Sequence, residues 1–150
     1  MDKKELKKKI VAACLEIQHT TAQRATAEME EAYQNATEYG TPEDWFDTYK
    51  ADMLNKRNIF SKQLQKIQED IRIVERIDTT IIHEKAVFGS VIITDNQKLF
   101  IAVGIGKIIV NKEEYYSISP SVPLFQAMKG LKAGDTFEFR GSKQKIIDIF

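Results

Sequence analysis

The sequence predicts an α+β chain, with an N-terminal antiparallel two-helix coiled coil followed by a small antiparallel sheet domain that carries one short helix. Three observations carry this. The first 80 or so residues contain one glycine and one proline, Gly40 and Pro42, both near the midpoint. On either side of that pair, apolar residues recur at steps of three and four, the spacing of one helix face. From about Ile81 the grammar changes to short β-branched and aromatic runs separated by glycine, proline and Asx signals.

The first helical segment, Asp2 to Glu38, is rich in Lys, Glu, Ala, Gln and Leu, all good helix formers. Its stripe runs through Leu6, Ile10, Cys14, Ile17, Ala25, Met29, Ala32 and Ala36. Gly40 suits the end of this helix. Thr41 is placed to cap the next one, with Pro42 as its first residue and Glu43 and Asp44 in a first turn where the helix dipole favours acids. The second stripe is Phe46, Tyr49, Met53, Phe60, Leu64, Ile67, Ile71 and Val74, a heptad-like series interrupted at Lys56. Two helices of roughly 35 residues, each on the order of 50 Å long, joined by a tight turn must run antiparallel. Narrow stripes suit a two-stranded coiled coil better than a globular core. Ala and Thr dominate the middle and tip of the first helix, so the hairpin should be slim there, with large residues of the second helix facing small ones.

In the second half, Val87 to Ile93 reads as a strand and Asp95-Asn96 as a turn. Leu99 to Val103 and Lys107 to Val110 follow as strands, with Gly104 and Gly106 marking a break or bulge between them. Glu114 to Ile118 offers another strand. Pro123 to Met128 reads as a short helix ending at Gly130, Gly134-Asp135 as a turn, and Thr136 to Phe139 and Gln144 to Ile149 as the closing strands. Tyr115, Tyr116, Phe125, Phe137 and Phe139 are the expected core aromatics. The change of grammar divides the chain into a hairpin, 1–79, and a sheet domain, 80–150, linked near Asp78 to Lys85.

Bulk properties narrow the function. The chain has 150 residues, 43% hydrophobic and 29% charged, which is the composition of a folded domain. Its 22 basic and 22 acidic residues cancel, so bulk charge gives no reason for tight binding to bare nucleic acid. One cysteine, Cys14, excludes a disulfide framework within the chain and a cysteine zinc site. It lies on the apolar stripe and reads as packing. No apolar stretch approaches the roughly 20 residues of a membrane span, and no signal peptide stands out after the lysine-rich start, so no membrane partner and a cytoplasmic location are expected. His19 and His83 lie in different segments with no paired ligand near them in sequence.

The zero net charge hides a pattern. Between Glu28 and Asp52 there are eight acids, Glu28, Glu30, Glu31, Glu38, Glu43, Asp44, Asp47 and Asp52, against the single base Lys50. The acidic tip proper lies near 38–47. Lys3, Lys4, Lys7, Lys8 and Lys9 fall at the opposite end of the hairpin. Two readings of the tip stay open. Such a segment can be a solvated, charge-rich hairpin end. It can also be a carboxylate group that holds a hard cation such as Mg²⁺, which prefers oxygen ligands. Glu43, Asp44 and Asp47 are the candidate ligands, Asp44 and Asp47 being three apart on a helix and hence on one face. Two or three carboxylates bind Mg²⁺ weakly alone and become useful when a partner supplies the remaining ligands.

Several short matches point to a family. Val87-Phe88-Gly89-Ser90-Val91, Val103-Gly104, Ile118-Ser119, Pro123-Leu124, Ala127-Met128, Gly130, Gly134-Asp135 and Ile146 to Ile149 follow one another as in the FKBP-like C-terminal domain of the bacterial Gre-type transcription elongation factors (GreA/GreB), which this chain resembles as a short, divergent member. Val122 stands where that family usually has Ser. At the tip, Gly40-Thr41-Pro42-Glu43-Asp44-Trp45-Phe46-Asp47 is similar to the family's Gly-Asp-x-x-Glu-Asn-x-Glu. Asp44 and Asp47 fall on its two Glu positions, Thr41 replaces its first Asp, and Trp45 replaces its Asn.

The resemblance implies binding to RNA polymerase through the C-terminal domain and insertion of the coiled coil into the secondary channel. The tip acids Asp44, Asp47 and Glu43 would there share a Mg²⁺ with the polymerase, which hydrolyses backtracked RNA at its own active site. The chain would then be no enzyme itself, would meet the nascent RNA 3′ end only indirectly, and would act as a monomer on the polymerase, self-association in isolation staying open. Thr41 leaves a second option beside cleavage, occupation of the channel without it. Two other classes also remain open: a coiled-coil adaptor that dimerises through its exposed stripe, and a peptide-binding or prolyl isomerase domain.

Overall fold

A computed structural model describes the backbone of residues 2–38 and 43–150, and the side chains of the same residues except 32, 33, 35–38 and 43–49. Two helices come first, α1 (Lys3–Glu38) and α2 (Glu43–Glu75). They are 36 and 33 residues long and unbroken, as the absence of interior Gly and Pro allows. Thr41 and Gly40, expected as cap and stop, lie outside the described residues.

The strands are β1 (Val91–Thr94), β2 (Lys98–Ile101), β3 (Gly106–Val110), β4 (Glu113–Ile118), β5 (Thr136–Phe139) and β6 (Ser142–Ile149), with the helix α3 (Pro123–Met128) between β4 and β5. They form one sheet in the order β3-β4-β2-β1-β6-β5. The fold is therefore a helical hairpin followed by a small, mostly antiparallel sheet with one short helix. The antiparallel expectation fails at one pair, since β2 and β4 run parallel, Leu99 opposite Tyr116 and Ile101 opposite Ile118. The chain crosses from one to the other through β3, which returns on β4 by a two-residue turn at Asn111 and Lys112, φ 52° and 65°.

The strand expected from Val87 begins only at Val91. Gly89 sits at φ 85°, a conformation that ends extended chain. The segment before β1 closes on itself instead, with the Ser90 hydroxyl donating to Val87 O at 2.6 Å and the Val87 N–H donating to Ser90 Oγ at 3.2 Å. The Asp95-Asn96 turn is held by Thr94 Oγ1, which accepts from the N–H groups of Asn96 and Gln97.

By compactness the chain divides into Met1–Ile17 with Arg72–Phe150, and Gln18–Ile71. In the first unit the sheet is covered on both faces. One face carries Ile92, Leu99, Ile101, Phe137, Ile146 and Ile149 against Phe125 and Met128 of α3. The other carries Val91, Phe100, Ala102, Ile108, Val110, Tyr115 and Phe150 against Ile10, Val11 and Cys14 of α1 and Val74 of α2. The hairpin stripe thus joins a globular core at its base instead of pairing only helix with helix. Of the expected core aromatics, Tyr115, Phe125 and Phe137 are buried, while Tyr116 is 37% exposed because it points to the opposite face of β4 from Tyr115. Ile17, expected on the stripe, is 37% exposed.

In the second unit, Ala25 is buried and Ala22, Thr26 and Ala27 of α1 line a shallow cavity of about 360 Å³ with Leu64 and Gln68 of α2. Small side chains of α1 and the larger Leu64 of α2 thus line one cavity in this unit. Phe100 is fully buried on the sheet face that packs against α1 and α2. Phe100→Ala is expected to cost about 3–5 kcal/mol in urea unfolding, whereas Ile147→Ala, at 57% exposure, stays within about 0.5 kcal/mol.

Candidate functional site

The candidate site is the acidic end of the hairpin. The backbone places Glu38 at the last residue of α1 and Glu43 at the first of α2, so Asp44 and Asp47 belong to the opening turns of α2. The side chains of Glu43, Asp44 and Asp47, the residues chosen from sequence, lie outside the described residues. Of the surrounding acids, Glu28, Glu30 and Glu31 of α1 and Asp52 of α2 are all exposed. Among the described residues no group of three or more His, Cys, Asp or Glu side chains converges to hold a metal ion. A cation held by Glu43, Asp44 and Asp47 would meet only carboxylate oxygens, a donor set that suits Mg²⁺.

A second polar cluster lies at the base of the hairpin. Lys7 is fully buried, and its ammonium nitrogen is 2.9 Å from the carbonyl of Ile81 and 2.8 Å from His83 Nδ1. The segment after α2 is tied down by the same contacts. Asp78 accepts from both the N–H and the hydroxyl of Thr80 at 2.9 and 2.6 Å, which holds its carboxyl below the ordinary range. Burial lowers the Lys7 ammonium from 10.5 to about 8, although the Asp78 charge acts in the opposite direction. Burial and then the Lys7 charge lower His83, so its neutral ring accepts the Lys7 proton. A cavity of about 210 Å³ opens beside this cluster, walled by Ile77, Ile81 and Phe88 with Arg76, Asp78 and His83 around it.

Lys7 and His83 are 76 residues apart in sequence, which is why His83 shows no partner there. Lys7 reads locally as one more surface lysine. The signal available was its position, one turn before Ile10 and in phase with Cys14 on the α1 stripe. Cys14 is buried as expected, and burial pushes its thiol up to about 11. His19 lines the shallow hairpin cavity with Gln23 and Glu30.

No protein-family model matches the sequence, and no curated protein matches it. Among solved structures the chain is similar to GreA factor homolog 1 (Gfh1) of Thermus thermophilus, with 14% identical residues, 93% of this chain and 92% of that one covered, and a TM-score of 0.33. It is likewise similar to a second structure of the transcription factor Gfh1, at 14% identity, 93% and 90% coverage and a TM-score of 0.34. No helix among the described residues is long and apolar enough to cross a membrane.

Because the folded state disfavours the Lys7 proton, the unfolded chain binds more protons between about 8 and 10.5, and stability rises with pH through that window. The Cys14 thiol works against this above 9, where it ionises in the unfolded chain but stays protonated up to about 11 in the folded one. Chemical denaturation is therefore expected to show a gain of about 1 kcal/mol from pH 8 to pH 9, levelling off above. Lys7→Met should abolish that gain.

Proposed function

We propose that this protein is an RNA polymerase accessory factor that inserts its helical hairpin into the secondary channel and stimulates cleavage of backtracked RNA. The observation that carries the reading is the pair of unbroken helices of 36 and 33 residues that meet at the acidic segment. Each is on the order of 50 Å long. Helices of that length suit a probe that reaches a buried active centre. The ordered matches in the sheet domain and the placement of Asp44 and Asp47 at the family's two Glu positions support the same reading.

In this reading the polymerase retains the chemistry and the chain contributes charge and position. Asp44 and Asp47 are three apart in the opening of α2, the sequence spacing of one helix face, and Glu43 adds a third acid beside them in sequence. A shared Mg²⁺, when bound, would polarise the scissile phosphate and lower the pKa of the attacking water. The carboxylates alone bind such an ion weakly, so the site is complete only on the polymerase and the free protein has no hydrolytic activity. One observation favours a second reading, in which the hairpin occupies the channel without stimulating cleavage. Thr41 stands where the resemblance calls for an acid, leaving one ligand fewer unless Glu43 substitutes for it.

Core polymerase from the same source and complexes halted in a backtracked state test this. The protein is expected to co-purify with the core enzyme and to accelerate release of short 3′ RNA fragments. Asp44→Ala should reduce that acceleration by about 10²-fold or more while leaving binding intact. Binding without acceleration selects the channel-occupying reading, and no binding to the polymerase ends both.

A further inference from the structure

Among the described residues the most exposed large apolar side chain is Ile109, at 63%. It lies on β3, an outer strand of the sheet. A two-residue turn at Asn111 and Lys112 joins β3 to β4, with Val110 opposite Glu113. The pair that closes such a turn is hydrogen-bonded, and bonded pairs then alternate along the ladder. Gly106, Ile108 and Val110 therefore spend their backbone groups on β4. Lys107 and Ile109 aim their N–H and C=O groups away from it, toward an edge that no strand among the described residues covers.

An edge lysine ordinarily guards against pairing with another chain. Here the guard is neutralised, because the Lys107 ammonium lies 2.7 Å from Glu114 Oε1 on the neighbouring strand. We propose that the free edge of β3 pairs antiparallel with the same edge of a second copy of this chain, Lys107 of each copy opposite Ile109 of the other.

The register follows from hydrogen bonding and charge together. Pairing Lys107 with Ile109 of the second copy matches outward-facing groups and gives four N–H···O bonds about a two-fold axis at Ile108. A shift that set Lys107 against Lys107 would oppose like charges. A shift the other way would bring in Asn111, whose φ of 52° takes it out of the strand. In the proposed register the alkyl stem of each Lys107 covers the exposed Ile109 of the other copy. Across the four strands each row then reads Glu114, Ile109, Lys107, Tyr116, with no like charges opposed. The contact is well below the ~1,200–2,000 Å² of stable complexes, so the dimer is weak and forms at high concentration. It differs from pairing through the coiled-coil stripe, and it does not depend on polymerase binding.

Sedimentation velocity of the full chain from ~10 µM to ~1 mM, the range where small interfaces associate, should show monomer converting to dimer. Ile109→Pro removes an N–H that points away from β4, so it spares the internal ladder and deletes two of the four bonds between copies. It should weaken dimerisation by about tenfold or more. In a second test, the double variant Lys107→Cys with Ile109→Cys places the new thiols of the two copies as directly opposed pairs, about 5.5 Å between Cα atoms, within disulfide reach. Mild oxidation should give a covalent dimer, with the buried Cys14 silent. Lys107→Cys alone, which leaves its two thiols on the longer diagonal, should not. A wild-type chain that stays monomeric at the top concentration, a dimer undiminished by Ile109→Pro, or a double-cysteine variant that fails to cross-link overturns the proposal.

Discussion

Burial of the hairpin's base against the sheet is the contact on which the first compact unit depends. Ile10 and Cys14 of α1 and Val74 of α2 are completely buried, and they share a core with Val91, Phe100 and Tyr115. Without them one face of the sheet would be bare, since α3 covers only the other. A sheet domain of some 70 residues is near the lower limit for independent stability. The first four turns or so of α1 and the last turn of α2 are therefore part of the domain in the energetic sense, although their sequence grammar belongs to the hairpin.

The same contact accounts for the buried lysine. Lys7 lies one turn before Ile10, on the face that the sheet domain claims, so its stem packs and its ammonium must find partners inside. Ile81 O and His83 Nδ1 provide them. The cost of desolvating the charge appears as the lowered Lys7 pKa. The benefit is positional, because the chain leaving α2 is pinned to α1 before it enters β1. A turn at Gly89 and Ser90 then sets the direction of the first strand.

What could be read from the sequence follows the range of the forces involved. The two long helices, α3 and the closing strands β5 and β6 all rest on local signals, namely periodicity, Pro123 at a helix start and Gly134 in the turn before β5. Each was legible for that reason. The parallel pairing of β2 with β4, the exposure of Ile17 and the Lys7–His83 contact depend on what comes to lie beside them, and nothing within a short window of sequence encodes that. Val87 to Ser90 failed for a subtler reason. Its β-branched and aromatic content argues for a strand, but one glycine at positive φ and one serine hydroxyl outweigh it. At the tip, Glu43, Asp44 and Asp47 were singled out by a concentration of charge and by a family resemblance, and their side chains lie outside the described residues. Local spacing put them in one helical stretch, and the start of α2 at Glu43 agrees with it.

The shared core also sets an order of events during synthesis. Ile10 and Cys14 leave the ribosome before Phe100 and Tyr115, against which they pack and which follow about 90 to 100 residues later. Lys3 pairs with Asp148, almost the whole chain away. The beginning of α1 must therefore wait with its apolar face uncovered until the strands of the sheet have been made. Contacts of such long span slow folding and prolong the exposure of apolar surface. The cluster of lysines that opens the chain gives that waiting segment a repulsive, soluble character while its partner is still being built.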